Sequence, residues 1–159
     1  VSPPAVTLEP GADYATRVVR LDRAPVQGEL SYRLLVDELP EPDRARNGAV
    51  ALVVRYSIPV FFTAADARAP HLGWSVERKD GRVSLVARND GTRRLRLSDL
   101  SVSDGAGHRV SFGPGLAGYV LGGSAMRFTP RAKGGFSGSD LSVSAMTDLG
   151  PIHGTVGQR

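Results

Sequence analysis

The sequence contains no cysteine. That absence excludes disulfide frameworks, thiolate metal sites and cysteine nucleophiles, and it leaves the compartment open. Aromatic residues are scarce at 6% of the chain, and several are needed for cores. No apolar run reaches the roughly eighteen residues of a membrane span, so the chain is not expected to span a membrane. No strong helix pattern and no tandem repeat is present. There is also no signal peptide and no initiating methionine before Val1, so the chain reads as a mature piece or a fragment.

Hydrophobic residues make up 41% of the 159 residues, with 19 glycines and 11 prolines as punctuation. A packed core is feasible on that composition, and wholesale disorder is not expected. The formal charge of +4 arises from 20 basic and 16 acidic residues. Such a surplus suits steering of an acidic partner, but it is too small and dispersed to imply nucleic acid.

One stretch stands out, Gly48 to Thr63, GAVALVVRYSIPVFFT. Its even positions, Val50, Leu52, Val54, Tyr56, Ile58, Val60 and Phe62, are all apolar, whereas the odd positions are mixed. Period-two alternation with β-branched enrichment argues for a strand, and a long one. Pro59 has no N–H to offer a neighbour, which confines it to an edge, a bulge or a strand end. Two readings remain open. The stretch is either a core strand paired on both sides or an exposed edge kept for pairing with another chain.

Around it the chain reads as all-β. Prolines surround a short apolar run before Pro10-Gly11, and 14–21 (YATRVVRL) is expected to be a strand. Residues 29–39 place Leu30, Tyr32, Leu34 and Val36 on one face, and alternation favours a strand over the helix its composition also allows. Pro40 to Asn47 is a loop. Ala64 to His71 (AADARAPH) is the best linker candidate. Beyond it, turns recur about every eight to twelve residues, as in a sandwich or barrel. Expected strands are Leu72–Arg78, Arg82–Asn89, Thr92–Val102, Arg109–Phe112, Gly118–Leu121, Ala125–Thr129, Leu141–Met146 and Ile152–Val156. Lys79-Asp80-Gly81 and Asn89-Asp90-Gly91 are turn signals, and Trp74 is the natural core aromatic. This half fits an immunoglobulin-like sandwich. The first half offers about four strands where such a sandwich needs about seven, so strands are expected before Val1.

A catalytic constellation is not found, so the chain is expected not to be an enzyme. His71, His108 and His153 are isolated, with no metal-ligand spacing. Gly135-Phe136-Ser137-Gly138-Ser139 lacks the strand-to-helix context of a nucleophile elbow. Gly113-Pro114-Gly115 and Gly122-Gly123-Ser124 lack the lysine and helix of a phosphate cradle, so no cofactor is expected. Asp37, Glu38, Glu41 and Asp43 read as a solvated acidic loop. Arg88, Arg93, Arg94 and Arg96 read as a charged outer face alternating with Leu95 and Leu97, without the aromatics of a nucleic-acid site. Arg55, the only charge inside the long strand, is either a surface arginine or a group that captures a partner's carboxylate.

The order of motifs resembles the periplasmic pilus-assembly chaperones of the chaperone–usher pathway, in particular the archaic branch. The matching run is Ser2-Pro3-Pro4, Leu8-Glu9-Pro10-Gly11, Arg17-Val18-Val19-Arg20 and Tyr32-Arg33-Leu34-Leu35, then Glu38-Leu39-Pro40. It continues through Val54-Arg55-Tyr56-Ser57-Ile58-Pro59-Val60-Phe61, Leu72-Gly73-Trp74, Asn89-Asp90-Gly91 and Gly118-Tyr119-Val120-Leu121-Gly122-Gly123-Ser124. The resemblance implies two immunoglobulin-like β-sandwich domains, residues 1–64 and 65–159, the first lacking its N-terminal strands. It implies lending of a strand to pilin subunits through Val50, Leu52, Val54 and Tyr56, with delivery to an outer-membrane usher. Better-known members hold the pilin's terminal carboxylate with a basic pair. One member of that pair lies on a strand this chain lacks, and the other falls at Pro59, which leaves Arg55 as the candidate anchor. The alternative class is an extracellular sandwich module that binds carbohydrate or protein.

Overall fold

A computed structural model of the chain describes residues 2–40, 52–79, 82–130 and 140–157. These residues form strands, turns and loops without a helix. The ten strands are β1 (Glu29–Asp37), β2 (Arg55–Thr63), β3 (Leu72–Lys79), β4 (Arg82–Asn89), β5 (Leu95–Ser103), β6 (Arg109–Ser111), β7 (Leu116–Val120), β8 (Ala125–Phe128), β9 (Ser142–Thr147) and β10 (Gly150–Thr155).

The last eight strands make an antiparallel sandwich. One sheet runs β10-β9-β5-β6, with β7 also on β5, and the other runs β3-β4-β8. Alternation places one face of each strand inside. Leu95, Leu97, Leu100 and Val102 of β5 meet Leu85 and Ala87 of β4 in one core, completed by Val120, Phe128, Leu141, Val143, Ala145 and Trp74. Trp74 is therefore the core aromatic its position suggested. Arg96 alternates outward between Leu95 and Leu97, as the pattern required. Asp99 is the one described non-glycine residue with positive φ, at +51°. It sits at the irregularity between Ser98 and Ser101 where the β5–β9 register shifts, and its carboxylate accepts the Gly115 N–H at 2.8 Å.

The first part is thinner. β1 and β2 form a two-stranded antiparallel sheet, with Glu29 opposite Thr63 and Asp37 opposite Arg55. Residues 14–21 do not form the expected strand; Arg17 makes only an isolated bridge to Ser2. A strand is defined by its partner, and with no partner strand among the described residues, Tyr14, Val19 and Leu21 stay exposed. The long apolar stretch is also shorter as a strand than its pattern, since β2 starts at Arg55. Val50 and its neighbours in 48–51 lie outside the described residues.

The ladder explains Pro59. The Ala64 N–H donates to Gly28 O at 2.8 Å, and the Glu38 N–H donates to Val54 O at 2.9 Å. Even-numbered pairs are thus the hydrogen-bonded ones, and the Arg33–Pro59 pair is non-hydrogen-bonded. The nitrogen of Pro59 points away from β1 towards the strand's other edge, which is unpaired among the described residues. The proline costs no ladder bond.

Candidate functional site

One face of the β1–β2 hairpin is wholly apolar. Leu30, Tyr32, Leu34 and Val36 lie opposite Phe62, Val60, Ile58 and Tyr56. Tyr32 and Phe62 meet edge to face at 5.8 Å. Nothing among the described residues covers the outer half of this face: Tyr56 is 60% exposed, Ile58 45%, Val54 47% and Leu52 88%. A run of large apolar side chains along a free strand edge is a surface that proteins ordinarily cover or interrupt. Of the residues singled out from sequence, Leu52, Val54 and Tyr56 are all exposed, the first two just before β2 and Tyr56 within it.

Arg55 belongs to the opposite face and is already engaged. Its Nη2 donates to Asp37 Oδ2 at 3.0 Å and its Nε donates to Oδ1, a two-pronged cross-strand pair. The hydrogen bond from Arg55 holds the Asp37 carboxyl below its ordinary value of 3.8, and the charge attraction adds to it. Both groups are solvated, and such pairs contribute little to stability. Because the folded value is lowered, the contribution is complete at neutral pH and is lost as pH falls through that value. Titration of the Asp37 carboxyl by NMR should give a midpoint under 3.8, and Arg55→Ala should return it to that ordinary value. An unchanged midpoint in the variant would assign the shift to another cause.

A second arginine went unnoticed in the sequence. Arg33 projects from the same face as Arg55, opposite Pro59, and is exposed with no ion-pair partner among the described residues. Its signal, a lone cation opposite the proline, needs the strand register, which sequence spacing does not supply.

At its base the same face is tied to the sandwich. The Arg94 Nη1 donates to Glu29 Oε2 at 2.7 Å, and the Arg94 N–H donates to Oε1 at 3.0 Å. The Thr63 hydroxyl donates to Glu29 Oε2 at 2.7 Å. The Arg94 guanidinium lies 3.8 Å from the centre of the Phe61 ring, and Phe61 packs on Tyr119 at 5.4 Å. The basic patch read from Arg88, Arg93, Arg94 and Arg96 is thus divided. Arg94 serves this contact, whereas Arg88, on the other sheet, pairs with Asp90 at 3.1 Å.

Among the described residues no group of histidine and carboxylate side chains suits a metal ion. The hairpin offers backbone edge, apolar face and cation, which are the means of binding a chain. Residues 1–66 match the family described as pili and flagellar-assembly chaperone, PapD N-terminal domain. Over those residues the chain is similar to the N-terminal domain of the pilus-assembly chaperones. The rest of the chain agrees with that reading in its fold. A solved chain from the CsuC–CsuE chaperone–tip adhesion subunit pre-assembly complex, from archaic chaperone–usher Csu pili of Acinetobacter baumannii, is 25% identical with a TM-score of 0.57. The match covers 84% of this chain and 63% of that one, so the present chain spans under two thirds of the solved chaperone's length. No curated protein matches the chain. The chaperone match and the all-β architecture agree with the resemblance carried by the motifs, including the partial first immunoglobulin-like domain.

Proposed function

We propose that this chain is a non-enzymatic periplasmic chaperone that lends the edge from Val50 through Leu52 and Val54 to Tyr56 to a pilin subunit, then passes the subunit to an outer-membrane usher. The carrying observation is that Leu52, Val54 and Tyr56 stand exposed at and just before the start of β2, whose second edge has no partner among the described residues. The related complex, which holds a tip adhesion subunit, supports the class of partner. Main-chain pairing gives affinity with little demand on sequence, and alternate side chains entering pockets give selectivity. Each buried side chain contributes roughly 1.5–3 kcal/mol. The division into 1–64 and 65–159 belongs to the same reading, with the first unit presenting the edge and the second bracing it. Co-expression with a pilin encoded beside it should yield a copurifying complex, and a pilin that is lost equally with and without this chain would sink the proposal.

Two arginines compete as the anchor for the pilin's terminal carboxylate. Arg55 must first release Asp37, whereas Arg33 is available and sits beside Pro59. Arg33→Ala is therefore expected to weaken capture about tenfold, the effect of losing a charge-assisted contact of roughly 1.5 kcal/mol. Arg55→Ala should weaken it less than threefold. A reversed order in a binding titration would restore Arg55 as the anchor. The carbohydrate-module alternative finds little support, because the exposed aromatics among the described residues, Tyr14, Tyr32 and Tyr56, all lie in the first part rather than on the sandwich.

A further inference from the structure

The hairpin has a second edge. Odd-numbered pairs of the β1–β2 ladder are the non-hydrogen-bonded ones, so the N–H and C=O groups of Ser31, Arg33, Leu35 and Asp37 point away from β2. No described strand lies on that side. Edges are ordinarily blunted by a bulge, a proline or inserted charge. β1 pairs with β2 without a register shift and contains no proline. Its two exposed charges, Arg33 and Asp37, are of opposite sign.

Leu35 lies midway between them and is 54% exposed. The strand is therefore its own complement. When two copies of β1 run antiparallel with Leu35 opposite Leu35, Arg33 of each copy faces Asp37 of the other. These are hydrogen-bonded pairs, because the odd-numbered backbone groups are the ones that face outward. The Asp37 Oδ2 already accepts an N–H from the Arg55 Nη2 at 3.0 Å. A carboxylate has acceptor positions for a second guanidinium as well. On the other face Leu34 of each copy meets Val36 of its counterpart, so the apolar face continues across the junction.

Other alignments lose this match. Sliding one copy by two residues sets both charges against leucine or serine, and sliding it by four brings Arg33 onto Arg33 or Asp37 onto Asp37. Like charges directly opposite are destabilising. We propose that β1 is a self-association edge through which two copies of this chain join into one four-stranded sheet, β2-β1-β1-β2. The free edge of β2 faces the other way, so it stays open at both margins of that sheet. The inference goes beyond the chaperone reading and involves no pilin.

The absence of native cysteine makes Leu35→Cys a single-thiol probe. Hydrogen-bonded antiparallel neighbours have Cα atoms about 5.5 Å apart, within reach of a disulfide. Mild oxidation should give a covalent dimer, whereas Ser57→Cys, one strand further out on each copy, should not cross-link. Sedimentation equilibrium of the full chain should show a dimer. Arg33→Asp or Asp37→Arg alone should weaken it about tenfold or more. Mixing the two variants should restore association, because each charge again meets its opposite, and a merely structural role produces no such rescue. A parent that sediments as a monomer, a mixture that stays apart, or equal cross-linking at Leu35→Cys and Ser57→Cys would overturn the proposal. In a monomeric parent, slow hydrogen exchange of the Leu35 amide would assign the edge to another segment of the same chain. No arm contains a pilin, so failure here leaves the chaperone reading standing.

Discussion

Leu52→Asp should reduce recovery of a copurified pilin tenfold or more while leaving the chain's own unfolding unchanged. Leu52 is 88% exposed and Val54 47% exposed, so neither supports the folded core in isolation. A carboxylate at either site costs the free chain almost nothing. On capture the same group must leave water for an apolar pocket, losing roughly 1.5–3 kcal/mol of burial and adding a desolvation penalty. The effect thus falls on binding alone. Val54→Asp should behave the same way, with a smaller loss because Val54 already pairs through its backbone with Glu38. Copurification yield against melting temperature separates the outcomes. If yield and melting fall together, the residues are structural, and if neither changes, the donor edge lies elsewhere.

Asn89→Ala should do the reverse, destabilising the sandwich by about 4 kcal/mol, since buried groups left without partners cost roughly 1–3 kcal/mol each. The truncation strands the N–H groups of His71 and Gly91 and the carbonyls of Arg93 and Val120. For a unit of this size the thermal midpoint should fall by roughly 15 °C or more. Chemical denaturation followed by the fluorescence of Trp74, the sole tryptophan, reads this directly. It is a core residue of the same sandwich. A loss below about 1 kcal/mol would mean that water replaces the amide at little cost.

Much of the sandwich could be read from the chain because its strands satisfy local rules. Leu95, Leu97, Val143 and Ala145 alternate with polar residues, and turn residues bound each strand, so the expected spans fall within about three residues of those observed. The hairpin was legible too, through Leu30 to Val36 and Tyr56 to Phe62. What escaped depends on partners distant in sequence. Residues 14–21 have the composition of a strand, yet composition cannot supply the neighbour that makes one. Asp37 looked like part of an acidic loop until the register set it opposite Arg55. Glu29 and Arg94 are 65 residues apart, and neither shows in its local sequence that it will be buried against the other. Asn89 was recognisable as a turn residue, but its burial was not. Composition marked 64–71 as a linker, although the turn around Asn89 binds it.

Pro59 has a consequence for any strand added to β2. The backbone groups facing the free edge belong to the odd-numbered residues, so Arg55 and Ser57 each present an N–H and a C=O there, whereas Pro59 presents a carbonyl alone. A borrowed ladder that runs along this edge loses a rung at Pro59. Sliding an incoming strand two residues towards Thr63 would leave one of its carbonyls facing a ring carbon instead of a donor. The proline thereby acts as an end stop for pairing, biasing the guest to the segment before it, where Leu52, Val54 and Tyr56 stand exposed.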